Sequence, residues 1–251
     1  MFRIRGIRLS VHFTFLLLLA YVGWEGWRER KEWLDALVSA ATLLVVFVFV
    51  LLHELGHSFM ARRFGVRVSR ILLLPIGGMA EFDSIPRQPK SEILIALAGP
   101  AVNFALIGVF LLFVPYPHWK ELMESPLTLK TAAQLILLLN TIMGLFNLFP
   151  VFPMDGGRVF RALLARRLSY SRATFWAATL GKILSVIAAG VALFCLERPH
   201  YMTAVLFAFI FVAGEIEYRA VKRQDADVLR WREIEARFAP KPAEPPEVVD
   251  A

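Results

Sequence analysis

The chain has 251 residues, 57% of them hydrophobic, and a formal net charge of +7. An ordinary soluble domain is about 45–50% apolar; here the excess lies in blocks parted by Arg-rich stretches, which points to a polytopic membrane protein and away from a soluble one with a basic face. The single cysteine, Cys195, excludes an intrachain disulfide and a cysteine metal site, and the basic residues sit in links between apolar blocks, so no nucleic-acid partner is expected.

Taken in chain order, Arg3, Arg5 and Arg8 precede an apolar run with no small-residue cleavage site after it, so this run reads as a retained first span. A helix crossing the hydrocarbon core needs about 20 largely apolar residues. Six segments qualify: 9–26, 35–60, 94–114, 129–149, 173–196 and 201–218. The links on one side hold 21 Lys and Arg residues and those on the other hold 6, so both termini are expected in the cytoplasm. The expected fold is an all-α polytopic membrane protein of about six transmembrane helices.

Two stretches depart from that pattern. Residues 66–83, VRVSRILLLPIGGMAEFD, are too short for a crossing, and aliphatic runs flanking Pro75-Ile76-Gly77-Gly78 predict a β-hairpin. It is apolar and begins beside Arg62, Arg63, Arg67 and Arg70, so it is expected to dip into the cytoplasmic leaflet, as an interfacial anchor or as one wall of a substrate cleft carrying Gly77 and Gly78. The membrane domain is expected to cover 1–218. Residues 219–251 follow as a cytoplasmic tail, charged and helix-permissive to 238, then Pro-rich and expected to be disordered; some 30 residues are too few for a second folded domain.

The second apolar block ends VVFVFVLLHELGHSFMARRFG. His53 and His57 lie four residues apart, one helical turn on one face, where two imidazoles can share a zinc ion. Glu54 has the position of the general base in HExxH hydrolases. Ionisable groups inside an apolar helix are costly, so three in five positions argue for function over a polar cluster that merely bonds neighbouring helices. The third ligand must come from elsewhere. Asp155, in LFNLFPVFPMDGGRVF, is the foremost candidate: Pro150 and Pro153 break the fourth span, Gly156 and Gly157 permit close backbone approach, and the carboxylate can reach a neighbouring helix, cap the helix resuming near Arg158, or do both.

These residues resemble the site-2 protease family of intramembrane zinc metalloproteases. The family pairs HExxH with a distant Asn-x-x-Pro-x-x-x-x-Asp-Gly motif, matched here by His53–His57 and by Asn147 through Pro150 to Asp155 and Gly156. Gly99-Pro100-Ala101-Val102-Asn103 is similar to a third family feature, a Gly-Pro break followed by an Asn. The resemblance covers about residues 1–218 and is to the compact group, related to sporulation-factor proteases, without an inserted PDZ domain; the CBS pair of many members is not seen. It implies one zinc per chain held by His53, His57 and Asp155, Glu54 as acid/base, and Asn147 holding substrate or oxyanion, with Asn140 and Asn103 as further candidates or as simple interhelical hydrogen-bonding groups. It also implies a transmembrane or membrane-associated protein substrate, whose unwound strand pairs with the 66–83 hairpin. Two other readings remain open on the residues: a membrane zincin with Glu215 or Glu217 as third ligand, and a non-catalytic membrane metal-binding protein.

Overall fold

The computed structural model describes residues 2–75, 77–83, 86–195 and 198–238. The expected disordered stretch 239–251 and Ile76 of the expected turn lie outside them. The elements are β1 (Phe2–Ile4), β2 (Ile7–Val11), α1 (Phe13–Arg30), α2 (Trp33–Arg63), β3 (Val68–Leu74), β4 (Gly77–Phe82), α3 (Pro89–Leu111), α4 (Trp119–Glu124), α5 (Leu129–Asn147), α6 (Asp155–Leu164), α7 (Tyr170–Gly190), a π-helical turn (Val191–Cys195) and α8 (Tyr201–Phe238). α2 packs on α1, α3 and α5; α3 also meets α6, which meets α7, and α7 pairs with α8.

Among the described residues, four helices are long and apolar enough to cross a membrane: α2, α3, α5, and α7 continued to Cys195. Their packing is inverted relative to a water-soluble bundle. Val45, Val48, Phe104, Val109, Ile142, Ile183, Val186 and Ile187 point outward, while His53, His57, Glu92, Asn103, Asn140, Asp155 and Arg161 are buried. An apolar belt of that extent needs an apolar solvent. α3 corrects one expectation: the Gly99-Pro100 pair does not break it, and the helix runs through Pro100 to Leu111. In an apolar medium neighbouring groups re-satisfy the carbonyl that a proline frees, so a membrane helix tolerates it.

The all-α expectation also needs correction at the N-terminus, where residues 9–12 belong to no span. Phe2, Ile4, Ile7 and Leu9 are interleaved with Arg3, Arg5 and Arg8 and form a β-hairpin, and the first helix starts at Phe13. Its two-residue turn places Arg5 and Gly6 at φ of 47° and 87°, the positive pair a tight hairpin turn requires. β2 then pairs parallel with β3 across the α1–α2 crossover, giving one sheet in the order β1-β2-β3-β4. Ile7 and Ile71 are fully buried with Leu55, Ala61, Val66, Val68 and Ile95, so the sheet is seated on the C-terminal half of α2. α2 stops in a Schellman turn: Gly65 takes φ of 79°, Val66 N–H reaches the Ala61 carbonyl at 3.1 Å and Gly65 N–H the Arg62 carbonyl at 3.1 Å. The expected hairpin in 66–83 is β3–β4, with Leu74 opposite Gly77, so Gly77 and Gly78 lie in the strand itself. Arg70 and Glu81 pair across it, and that hydrogen bond holds the Glu81 carboxyl below its usual range. β4 is an edge strand on one side.

Candidate metal centre

α2 places His53, Glu54 and His57 on consecutive turns where it is overlain by α3 and β4. Two glycines allow α3 that close. A Cβ on Gly56 would stand 2.7 Å from the Ala98 carbonyl oxygen, and one on Gly99 would stand 2.2 Å from His57 Nε2 and 2.8 Å from His53 Cε1. Any side chain at residue 99 therefore occupies the space between the imidazoles.

α3 also fixes how the rings face. His53 Nδ1 donates to Asn103 Oδ1 at 2.9 Å, and His57 Nδ1 donates to the Ile95 carbonyl at 2.7 Å. Pro100 has no N–H for the Ala96 carbonyl, and its ring presses on that turn, next to the carbonyl His57 uses. With both protons on Nδ1, each Nε2 is left with a lone pair, the arrangement that partners of metal-binding histidines usually enforce.

Asp155 is the first residue of α6, after an N-cap at Met154, so the helix begins three residues earlier than expected from Arg158. The turn between α5 and α6 folds tightly onto this start. A Cβ on Gly156 would lie 2.2 Å from the Leu148 carbonyl oxygen, and one on Gly157 would lie 2.7 Å from Phe152 N. Both glycines thus serve the close approach that the sequence suggested. Val151, Phe152 and Met154 are buried against α7 and α8, which holds the turn in place.

Among the described residues one group of three His, Cys, Asp or Glu side chains can share an ion: His53, His57 and Asp155, all buried. The two Nε2 atoms are 3.0 Å apart, and Asp155 Oδ2 is 3.3 Å from His53 Nε2 and 3.1 Å from His57 Nε2. Tetrahedral zinc with bonds of about 2.05 Å separates its ligands by about 3.3 Å, so the triangle fits. With both Nδ1 protons committed to α3, the three atoms offer lone pairs to one point and no proton between them. A buried cluster of acceptors with no donor is costly, and a cation is the group that completes it.

Glu54 is half-buried under β4: a Cβ on Gly78 would meet its Cγ at 2.5 Å. The strand thus lies directly over the candidate base. Asn103 and Asn140 stand behind His53, with Asn103 Oδ1 bonded to the ring and Asn140 Nδ2 donating to the Asn103 carbonyl at 3.0 Å. Asn147 donates to Met143 O at 3.0 Å, one turn back on its own helix. Glu215 is held by Lys182 at 2.9 Å and Arg219 at 2.6 Å, and Glu217 by Arg161 at 2.6 Å, and neither is part of the group of His53, His57 and Asp155. Sequence reading missed Ile95, Glu92 and Arg161. In the sequence the last two stand only as charges beside apolar runs, like many others.

A model of peptidase family M50 matches residues 41–124 and 123–188. A zinc metalloprotease of Methanocaldococcus jannaschii is 38% identical over 223 residues, 88% of this chain and 61% of that protein. Stage IV sporulation protein FB of Bacillus subtilis is 29% identical over 179 residues, 70% of this chain and 58% of that protein. The chain thus spans about three fifths of the length of these curated relatives. Among solved structures, the site-2 protease from Methanocaldococcus jannaschii matches with a TM-score of 0.59 and 35% identity, over 87% of this chain and 94% of that one.

Proposed function

The chain belongs to peptidase family M50, and from that premise we propose that it is an intramembrane zinc metallopeptidase that hydrolyses peptide bonds of transmembrane or membrane-associated proteins. The observation that carries this reading is the donor-free triangle of His53, His57 and Asp155, with separations of 3.0–3.3 Å, next to Glu54. His53, His57 and Asp155 hold the ion, one per chain. Zinc held there supplies Lewis-acid activation of water and of the scissile carbonyl. Glu54 takes the proton of the attacking water and returns it to the leaving amine. Asn103 and Ile95 keep the two imidazoles in the tautomer that ligation needs. Asn147 serves substrate or oxyanion after turning from Met143, a role that rests on its place in the family motif.

A transmembrane substrate hides its backbone in a helix and must unwind before it is cut. The free edge of β4 supplies hydrogen-bonding groups to an unwound strand, and Gly78 on that strand brings it against Glu54. Six spans, α1, α2, α3, α5, α7 and the first half of α8, cross a bacterial or archaeal cytoplasmic membrane with both termini inside, as the 21-to-6 distribution of Lys and Arg supports. Residues 1–218 make up the membrane peptidase and 219–251 a cytoplasmic extension, although α8 runs without interruption across that boundary.

The test is Glu54→Gln, scored by metal content and by proteomics of the membrane fraction against the unaltered protein. Zinc is expected to stay, and cleavage to fall by about 10²–10⁴-fold, the usual contribution of a general base. Near-normal cleavage with zinc bound would overturn the mechanism.

A further inference from the structure

Residues 92, 95, 99 and 103 of α3 recur at spacings of three and four, so they share one face of the helix. Three of them bear on the histidines: Asn103 holds His53, the Ile95 carbonyl holds His57, and Gly99 makes room for both rings. The fourth, Glu92, is 1% exposed and grips Arg161 of α6, also 1% exposed. Arg161 Nε donates to Glu92 Oε1 at 2.7 Å, Nη2 lies 2.6 Å from the same oxygen, and Nη1 donates to Glu217 of α8 at 2.6 Å. Its guanidinium also sits over the rings of Phe152 at 5.0 Å and Tyr170 at 4.9 Å.

We propose that Arg161 is a positioning residue for Asp155: by clamping α6 to α3 and α8 and pinning Phe152, it sets the carboxylate against the two imidazoles. The inference rests on the zinc-site reading above. Arg161 and Asp155 lie six residues apart on one short helix, about 9 Å along its axis, so holding one end fixes the other. Phe152 precedes Asp155 by three residues, so the same guanidinium holds the turn that delivers it. The clamp makes α3 the common reference for all three ligands, two through their rings and the third through Glu92 and Arg161. A buried ion pair is a poor source of stability compared with apolar residues of the same shape, whereas it does fix one arrangement, and arginine does this better than lysine because its planar fork engages several oxygens at once.

The experiment uses the full chain in detergent, loaded with Co²⁺ as a spectroscopic probe. It records the d–d absorption of the bound ion, its release rate to a chelator, and the melting temperature of the metal-free protein. Asp155→Ala is the reference for a lost third ligand. Arg161→Lys and Glu92→Gln are expected to alter the d–d band toward that of Asp155→Ala and to speed release by about 10–100-fold, the range for partners that orient metal ligands. The double variant Arg161→Met/Glu92→Leu removes both charges together. It is expected to fold and still to release Co²⁺ fast. Variants that melt lower but keep the unaltered band and release rate would make Arg161 a structural residue only and overturn the proposal. If the unaltered protein shows no Co²⁺ band, or Asp155→Ala leaves it unchanged, the zinc-site reading fails and this inference with it; a normal reference with normal Arg161 and Glu92 variants sinks this inference alone.

Discussion

Gly99→Ala adds one carbon to the centre of the candidate site. The new Cβ would stand 2.2 Å from His57 Nε2, 2.6 Å from His57 Cε1 and 2.8 Å from His53 Cε1, where ordinary contact begins at 3.4 Å. Relief needs a shift of about 1.2 Å at His57 Nε2, whereas zinc–ligand bonds vary by only about 0.2 Å. The ring cannot simply turn away, because its Nδ1 is tied to the Ile95 carbonyl at 2.7 Å. His57 is then lost as a ligand, and metal affinity is expected to fall by more than about 100-fold, beyond the range for outer-shell partners. The helix should not suffer in proportion. Residue 99 lies inside α3, where alanine is favoured over glycine by about 1 kcal/mol. Metal loss and unfolding therefore separate. Zinc content of the purified protein by elemental analysis, alongside its far-ultraviolet circular dichroism, makes the measurement. Gly108→Ala, on the same helix with nothing within 4 Å of its Cβ, is the control and should keep both zinc and helicity. Full zinc occupancy in Gly99→Ala would refute the geometry.

Three further outcomes are expected, two from contacts around the site and one from the charge distribution. Asn103→Ala removes the acceptor that orients His53, so metal affinity is expected to drop by about 10–100-fold in competition titrations with a chelator. Gly78→Ala puts a Cβ 2.5 Å from Glu54 Cγ, so zinc should remain while cleavage of a co-expressed membrane substrate falls by about 10²-fold, as expected for a catalytic group misplaced by about 1 Å; loss of zinc instead would mean that the strand supports the ligands. Topology reporters should read cytoplasmic after Ala251 and external within 116–128, and a cytoplasmic signal from the latter would overturn the six-span arrangement.

The parts of the site legible in the sequence are those specified locally. His53, Glu54 and His57 lie within five residues of one helix, whose period alone puts the imidazoles together. Asp155 was legible because prolines and glycines mark the break that frees it, and the β3–β4 hairpin because its aliphatic runs flank Pro75-Ile76-Gly77-Gly78. The N-terminal strands were not: over so few residues, alternating Arg and aliphatic side chains look like the charged approach to a membrane span. Their pairing with β3 depends on partners beyond two intervening helices, which no local pattern encodes. The Gly99-Pro100 pair misled for a related reason, since in water it signals a break and in an apolar bundle it marks a close approach. The Glu92–Arg161 clamp joins residues 69 apart, and in the sequence its members are indistinguishable from charges at the ends of spans.

That last distinction bears on how the centre can exist in a membrane at all. Three acceptors meeting without a donor repel one another when no ion is present, and their burial inside the protein leaves little solvent to screen them. The fold must therefore hold the triangle by forces that do not depend on the metal. α2 supplies two ligands with no freedom except ring rotation, and α3 removes that freedom at Nδ1 of each ring. Asp155 is different, because it starts a helix of ten residues reached through an irregular turn that is seated on α7 and α8 and not on α2, so its place relative to the histidines needs a further tie. Burying a charged residue in α6 against the first turn of α3 supplies that missing constraint from the same helix that orients the histidines. The apolar belt outside and the polar contacts inside are thus two sides of one requirement: the bilayer stabilises the helices, and the few buried polar contacts set where the ligand atoms stand.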